Sequence, residues 1–140
     1  MRRAGFTLVE ILVVIIVIAM LATLVAPSVF QHVDSAKSST AQAQIEMLSA
    51  ALDAYRLDND RYPTTEQGLS ALRQTPSSAP APRRWRGPYL RRELPMDPWG
   101  NPYVFRSPGT VNPHGFDLLT HGRDGKEGGE GEDADVLSWK

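Results

Sequence analysis

Hydrophobic and polar positions divide the chain into two regimes. From Phe6 to Val33 the only formally charged side chain is Glu10, within an apolar run through Ile11–Ala26. A helix needs ~20 such residues to span a bilayer, so this run is a membrane-span candidate. The basic start at Arg2 and Arg3 assigns its near end to the cytoplasmic side and everything after it to the far side. Pro27 lacks a backbone donor and crowds the preceding turn, which predicts a kink or loosening near Thr23–Pro27. The periodicity then changes. From Asp34 onward Ile45, Leu48, Leu52 and Tyr55 recur at steps of three and four, one apolar stripe on a helix, while Lys37, Glu46, Asp53 and Arg56 mostly lie off it. That stripe reads as the seat of a globular domain.

The segment Leu57–Pro63 should end the helix, because Asn and Asp favour turns and the residue before a proline leaves the helical region. Thr64 and Gln67 have capping-box spacing for a short helix carrying Leu69 and Leu72, which Gly68 weakens. Thr75–Pro82 predicts an exposed loop. Glu93–Tyr103 is dense in turn formers, with Trp99 and Tyr103 able to lie flat over a small core. Short strands are expected at Tyr103–Arg106, Phe116–Thr120 and Val136–Trp139. Three short antiparallel strands cannot stand with one side bare, so they should pack on the helical stripe. The expected fold class is α+β: a long N-terminal helix, membrane-spanning in its first half, against a small C-terminal antiparallel sheet.

Composition narrows the functions available. In 140 residues with one membrane stretch there is room for one small soluble domain and none for a separate catalytic one. The formal net charge of -1, which loss of Arg2 and Arg3 would take to -3, gives no global attraction to nucleic acid or anionic lipid. Arg83-Arg84-Trp85-Arg86, with Tyr89 and Arg91-Arg92, alternates basic and aromatic residues as a nucleic-acid surface would. No wider basic surface supports that, and the run reads as a solvated face or one side of a contact with acidic neighbours. His32, His114 and His121 lack zinc spacing, and no nucleophile–base set stands out, so no catalytic residue is expected. Cysteine is absent, so an exported domain of this size must be held by something other than a disulfide.

A secretory signal would be cut after its apolar run at small residues spaced A-x-A, but the first such triplet is Ala41-Gln42-Ala43, well downstream. Gly5 instead stands directly before Phe6, on the near edge of the run. Glu10 also calls for an account, since an intramembrane charge costs ~2.5–3.5 kcal/mol at mid-helix and less near an end. Gly5-Phe6-Thr7-Leu8-Val9-Glu10 resembles the processing site of type IV pilins and type II secretion pseudopilins. The resemblance implies cleavage between Gly5 and Phe6 by a membrane prepilin peptidase, N-methylation of Phe6, and an assembly role for Glu10. Leu94-Pro95 and Asp97–Tyr103 resemble the corresponding segment of major pseudopilins, as do Tyr55–Asn59 and Tyr62–Leu69. Within one chain the new amine of Phe6 and Glu10 lie four residues apart on one helical face and could pair there; the alternative is pairing between subunits of a filament.

The last loop carries acids at Glu127, Glu130, Glu132, Asp133 and Asp135 among glycines, with no base from Glu127 to Asp135. Unaided it should be disordered by self-repulsion. A hard cation would change that, because Ca²⁺ takes 6–8 oxygens in a forgiving geometry. It is not an EF-hand: counted from Asp124, Lys126 and Gly128 stand where that motif wants oxygen ligands. The pseudopilin resemblance implies a Ca²⁺ here, with Asp124, Asp133 and Asp135 as carboxylate ligands and backbone carbonyls near His121 and Lys126 as further ones. Val136-Leu137-Ser138-Trp139 departs from the commoner Ile-Gly-Asn-Trp ending of that family.

The expected organisation is a leader over 1–5, a transmembrane and assembly helix over 6–33, and a periplasmic headpiece over 34–140 with its calcium loop at 121–135. The expected function is that of a structural, non-enzymatic subunit of the type II secretion pseudopilus, a homopolymer built from the inner membrane with minor pseudopilins and an assembly platform. The alternatives are a type IV pilus or DNA-uptake pilin subunit, against which the lack of cysteines argues, and a nucleic-acid-binding module through Arg83–Arg92.

Overall fold

The computed structural model describes residues 5–140, apart from the side chains of residues 25–32. The leader arginines Arg2 and Arg3 lie outside the described residues. One long helix, α1 (Leu8–Asn59), is followed by a 3₁₀ helix (Leu69–Leu72), strands β1 (Val104–Arg106) and β2 (Asp117–Thr120), a 3₁₀ turn (Gly131–Asp133) and β3 (Val136–Leu137). The chain divides into two compact units, Met1–Ala36 and Lys37–Lys140.

In the first unit α1 opens on Thr7, whose Oγ1 accepts the Glu10 N–H at 3.2 Å, an N-cap that satisfies one of the helix's orphan donors. Every described side chain from 5 to 24 is exposed, the large hydrophobic ones between 45% at Ile11 and 85% at Leu8. The helix assignment continues through Pro27, and the loosening expected there falls where side chains are not described. Thr23 donates to the Met20 carbonyl at 2.7 Å, one turn back. Among the described residues no helix is long and apolar enough to cross a membrane. The expected span runs on into the undescribed side chains of 25–32.

In the second unit the predicted stripe is the wall of the core. Ile45, Leu48, Leu52 and Tyr55 are each at most 1% exposed, and they pack with Leu69, Leu72, Leu90, Tyr103, Phe105 and Leu118. The helix ends as its sequence predicts: Asp60 takes φ 61°, and its N–H bonds the Arg56 carbonyl at 2.8 Å. The capping box is present in full. The Gln67 N–H donates to Thr64 Oγ1 at 3.2 Å and the Thr64 N–H to Gln67 Oε1 at 3.1 Å. Gly68, at φ 61°, breaks the turn immediately, so only the four-residue 3₁₀ helix follows.

The sheet has the order β1-β2-β3, antiparallel throughout, with Phe105 opposite Leu118 and Leu119 opposite Leu137. The strands sit where expected and are shorter by a residue or two. The α+β reading, a long N-terminal helix against a small antiparallel sheet, is therefore what the chain adopts. Loops are tied by buried polar groups. Asp117, 2% exposed, accepts N–H bonds from Thr110, Val111 and Asn112 at 2.6, 2.8 and 3.0 Å. Burial alone would raise its pKa, but those backbone donors together outweigh burial and leave the carboxyl below its ordinary value of 3.8.

A carboxylate whose folded pKa is depressed contributes stability above its unfolded pKa and loses it as pH falls through the folded value. Asp117→Asn should therefore cost about 2 kcal/mol at neutral pH, with the deficit shrinking toward acid below about pH 4. Urea unfolding of both proteins across that range checks this, and parallel pH curves would refute it.

Candidate functional site

Two regions carry the candidate chemistry, one in each unit. At the start of α1, Phe6 is 79% exposed and Glu10 stands in the helix's first turn, four residues further on. Thr7 as N-cap with Glu10 three residues later matches a capping-box order, a local role for both residues that sequence reading passed over. A carboxylate in the first turn also faces the positive end of the helix dipole.

The acidic loop is built on a polar platform. Asp97, 4% exposed, accepts the Trp99 N–H at 3.0 Å and the Asn101 N–H at 2.7 Å through one oxygen, and the Thr120 hydroxyl through the other. Asn101 Nδ2 in turn donates to the Gly122 carbonyl at 2.8 Å. The segment Asp97–Tyr103, read from sequence as a turn-rich cover for the core, is thus also the support of the loop's first residues. Tyr103 itself is buried and donates to Gln44 on α1; burial, then the nearby Asp97 charge, raises its pKa.

Gly122 makes the loop's closing turn. It has φ +65°, and a Cβ there would lie 2.6 Å from the Glu132 carbonyl oxygen and 2.8 Å from that of Ala134. No side chain fits between those strands of backbone. The adjacent Arg123 N–H bonds the Glu132 carbonyl at 2.8 Å, which closes the neck of the loop.

The acids are not left to repel one another. Glu132 accepts Lys37 Nζ at 2.9 Å and Trp99 Nε1 at 3.3 Å on one oxygen, and Arg123 Nη1 at 2.9 Å on the other. Arg123 also grips both oxygens of Asp133, at 3.0 Å through Nε and 3.1 Å through Nη2. Hydrogen bonding to Asp133, with its charge, raises the pKa of that guanidinium. Asp135 meets His121 Nδ1 at 3.1 Å and accepts the Gly128 N–H at 3.0 Å; Asp124 accepts the Lys126 N–H at 3.0 Å.

Of the expected ligands, then, each of the three aspartates is bonded to a protein donor. His121 reaches Asp135 through its ring nitrogen. Among the described residues, no three His, Cys, Asp or Glu side chains converge as a group that could hold a metal ion. The donor chemistry of Asp124, Asp133 and Asp135 in a loop rich in positive-φ glycines suits a hard, oxygen-seeking cation, which these carboxylates could meet by exchanging present hydrogen bonds. Arg123 was given no role from the sequence, and Glu132 was read only as one of the loop's acids; the signal was a cation a few residues before the acidic stretch.

The basic run is resolved differently. Trp85 Nε1 donates to the Ala71 carbonyl at 2.9 Å, Tyr89 OH to Asp58 at 2.9 Å, and the two rings pack edge to face at 5.8 Å against the core. These aromatics are spent on the fold rather than offered for base stacking.

Comparison with known proteins follows the same lines. The family described as Type II secretion system (T2SS), protein G matches residues 28–139, and the prokaryotic N-terminal methylation motif matches residues 1–26. The type II secretion system core protein G of Pseudomonas aeruginosa is 48% identical over 138 residues, covering 99% of this chain and 96% of that one. Its counterpart in Aeromonas hydrophila is 47% identical over 139 residues, covering 99% and 93%. The crystal structure of the major pseudopilin from the type 2 secretion system of enterohaemorrhagic Escherichia coli matches at a TM-score of 0.65 and 42% identity, over 77% of this chain and 90% of that one.

Replacing Gly122 with Ala should lower stability by about 2 kcal/mol or more, through the left-handed backbone and the collision with two carbonyls. Thermal melting measures the loss, and amide exchange should quicken across 122–135; a variant as stable and as protected as the parent would refute the closing role.

The polar platform, the clasped acidic loop, the stripe-on-sheet core and full-length similarity agree with one another, and the chain belongs to the type II secretion system protein G family.

Proposed function

We propose that the chain is a structural subunit of the type II secretion pseudopilus, held in the inner membrane by its first helix until assembly draws it into a periplasmic filament. The observation that carries this reading is the first unit of α1: an apolar helix whose described side chains from 5 to 24 are all exposed. A helix apolar on every face needs lipid or other helices as its surroundings. A filament of identical subunits supplies the second once the subunit leaves the first.

Cleavage between Gly5 and Phe6 by a prepilin peptidase, with methylation of the new Phe6 amine, creates a positive charge one helical turn from Glu10. In lipid a lone carboxylate is costly. Pairing Glu10 of an entering subunit with the Phe6 amine of its neighbour neutralises both charges and sets the axial step between subunits. The work is done by packing and charge neutralisation, with minor pseudopilins and the inner-membrane assembly platform as partners and no turnover of substrate.

For the loop, the reading is that Ca²⁺ binds through Asp124, Asp133 and Asp135, with carbonyls near His121 and Lys126 as further ligands. When bound it supplies positive charge that orders the acidic stretch. The domain has no cysteine, and such a cation would take the place of a covalent staple. Mass action at about one hundred times the Kd adds about 2.7 kcal/mol.

Three outcomes are expected. Mass spectrometry of the protein from cells with a prepilin peptidase should find a chain starting at methylated Phe6; an intact Met1 would sink the processing claim. Glu10→Ala should leave the protein in the membrane yet abolish filaments in cells overproducing it with the whole machine, and normal filament yield would remove the register role. Chelation should lower the melting temperature of the full chain in detergent by several degrees, restored by Ca²⁺, whereas an unchanged melt would remove the calcium reading.

A further inference from the structure

Resting on the calcium reading above, we infer that Arg123 is the loop's internal counter-cation: it holds Asp133 when no metal ion is bound, must surrender it when a divalent cation enters, and so sets the loop's affinity. The guanidinium takes both oxygens of Asp133, through Nε at 3.0 Å and Nη2 at 3.1 Å. Such a two-bond fork is stronger and more specific in geometry than a single hydrogen bond to a carboxylate. An incoming Ca²⁺ needs those same oxygens, and two cations sharing one carboxylate repel each other at close range.

The surroundings allow Arg123 to let go without losing its place. Its Nη1 bonds Glu132 Oε2 at 2.9 Å, while the other Glu132 oxygen is held by Lys37 from α1 at 2.9 Å and by Trp99 at 3.3 Å. Glu132 is therefore a fixed post, its side chain only 12% exposed. The Arg123 side chain is 58% exposed and Asp133 32%, so the far half of the pair faces solvent and can open outward. The backbone bond from Arg123 N to the Glu132 carbonyl, 2.8 Å, keeps the loop's neck closed while the side chains exchange. The arrangement answers the self-repulsion expected of the acidic stretch: in the cation-free loop, Arg123 and Lys37 supply the missing positive charge.

The test uses full-length protein in detergent micelles, stripped with EGTA, as wild type, Arg123→Ala and Arg123→Lys. Calorimetric titration with Ca²⁺ should give up to about fivefold tighter binding for Arg123→Ala, the most that a solvent-exposed ion pair withholds. Its melting temperature in EGTA should fall, because the cation-free loop has lost its clasp. Arg123→Lys, which keeps the charge and loses the fork, should lie between the two in both measurements. Equal or weaker Ca²⁺ binding by both variants would overturn the exchange while leaving the calcium reading intact. If none of the three proteins takes up Ca²⁺, that reading falls and the exchange falls with it.

Discussion

Everything ordered in the second unit depends on one desolvated seam along α1. Strands of three, four and two residues have too little surface to enclose a core of their own. They become stable only because Ile45, Leu48, Leu52 and Tyr55 offer a continuous apolar wall, against which Leu118 and Phe105 of the sheet and Leu69 and Leu72 of the 3₁₀ helix are buried. The wall is rigid because it is helical, and it is helical well beyond the headpiece's needs. That surplus length links fold to function: the element that walls the headpiece core also carries the apolar segment through which subunits pack in the proposed filament.

With the apolar core so small, much of the organisation falls to buried polar side chains. Asp97, Asp117, Asn59, Gln67 and Thr120 are each no more than 5% exposed. Each binds at least one backbone or side-chain partner outside its own helix, strand or turn. Asn59 accepts the Arg84 N–H at 3.0 Å and thereby fixes the basic run to the end of α1. Gln67 Nε2 donates to the Ser78 and Pro80 carbonyls, both at 2.9 Å, and pins the proline-rich loop. A buried polar group left unpaired costs about 1–3 kcal/mol, so each such side chain penalises every loop conformation but one. This is how a domain without cysteine holds long irregular connections.

These roles explain what could and could not be read from the chain alone. The stripe, the helix end at Asn59, the capping box at Thr64 and Gln67, and the three strands were legible because each is a local or periodic signal, decided by residues within a few positions of one another. The proline-rich loop was foreseen as exposed, yet its anchorage by Gln67 was not, since that bond joins residues more than ten positions apart. The same holds for Asp97, which looked like one turn former among several, and for the Lys37–Glu132 pair, which spans most of the chain. Burial of Trp85 and Tyr89 was equally hidden. A basic-aromatic alternation looks the same whether its rings face outward or fold inward, and here Asp58, Ala71 and the core decide.

The two candidate sites are variants of one electrostatic problem, a carboxylate whose neutral surroundings depend on the state of the molecule. Glu10 belongs to the apolar first unit, and in the proposed filament its charge is balanced by an amine on another copy, so that neutralisation becomes a measure of assembly. Asp133 has the opposite provision. Its counter-charge, Arg123, is ten residues away in the same loop and already in place. On the calcium reading, a site prepared in this way would bind the ion less tightly than a bare cluster of acids, because binding must first break a two-bond ion pair. In return, on the same reading, the loop is ordered before the ion arrives, and the headpiece would enter the proposed filament without first folding its last loop. Restraint on affinity and order without metal would then follow from the same guanidinium, so that neither could be altered by substitution at 123 without altering the other.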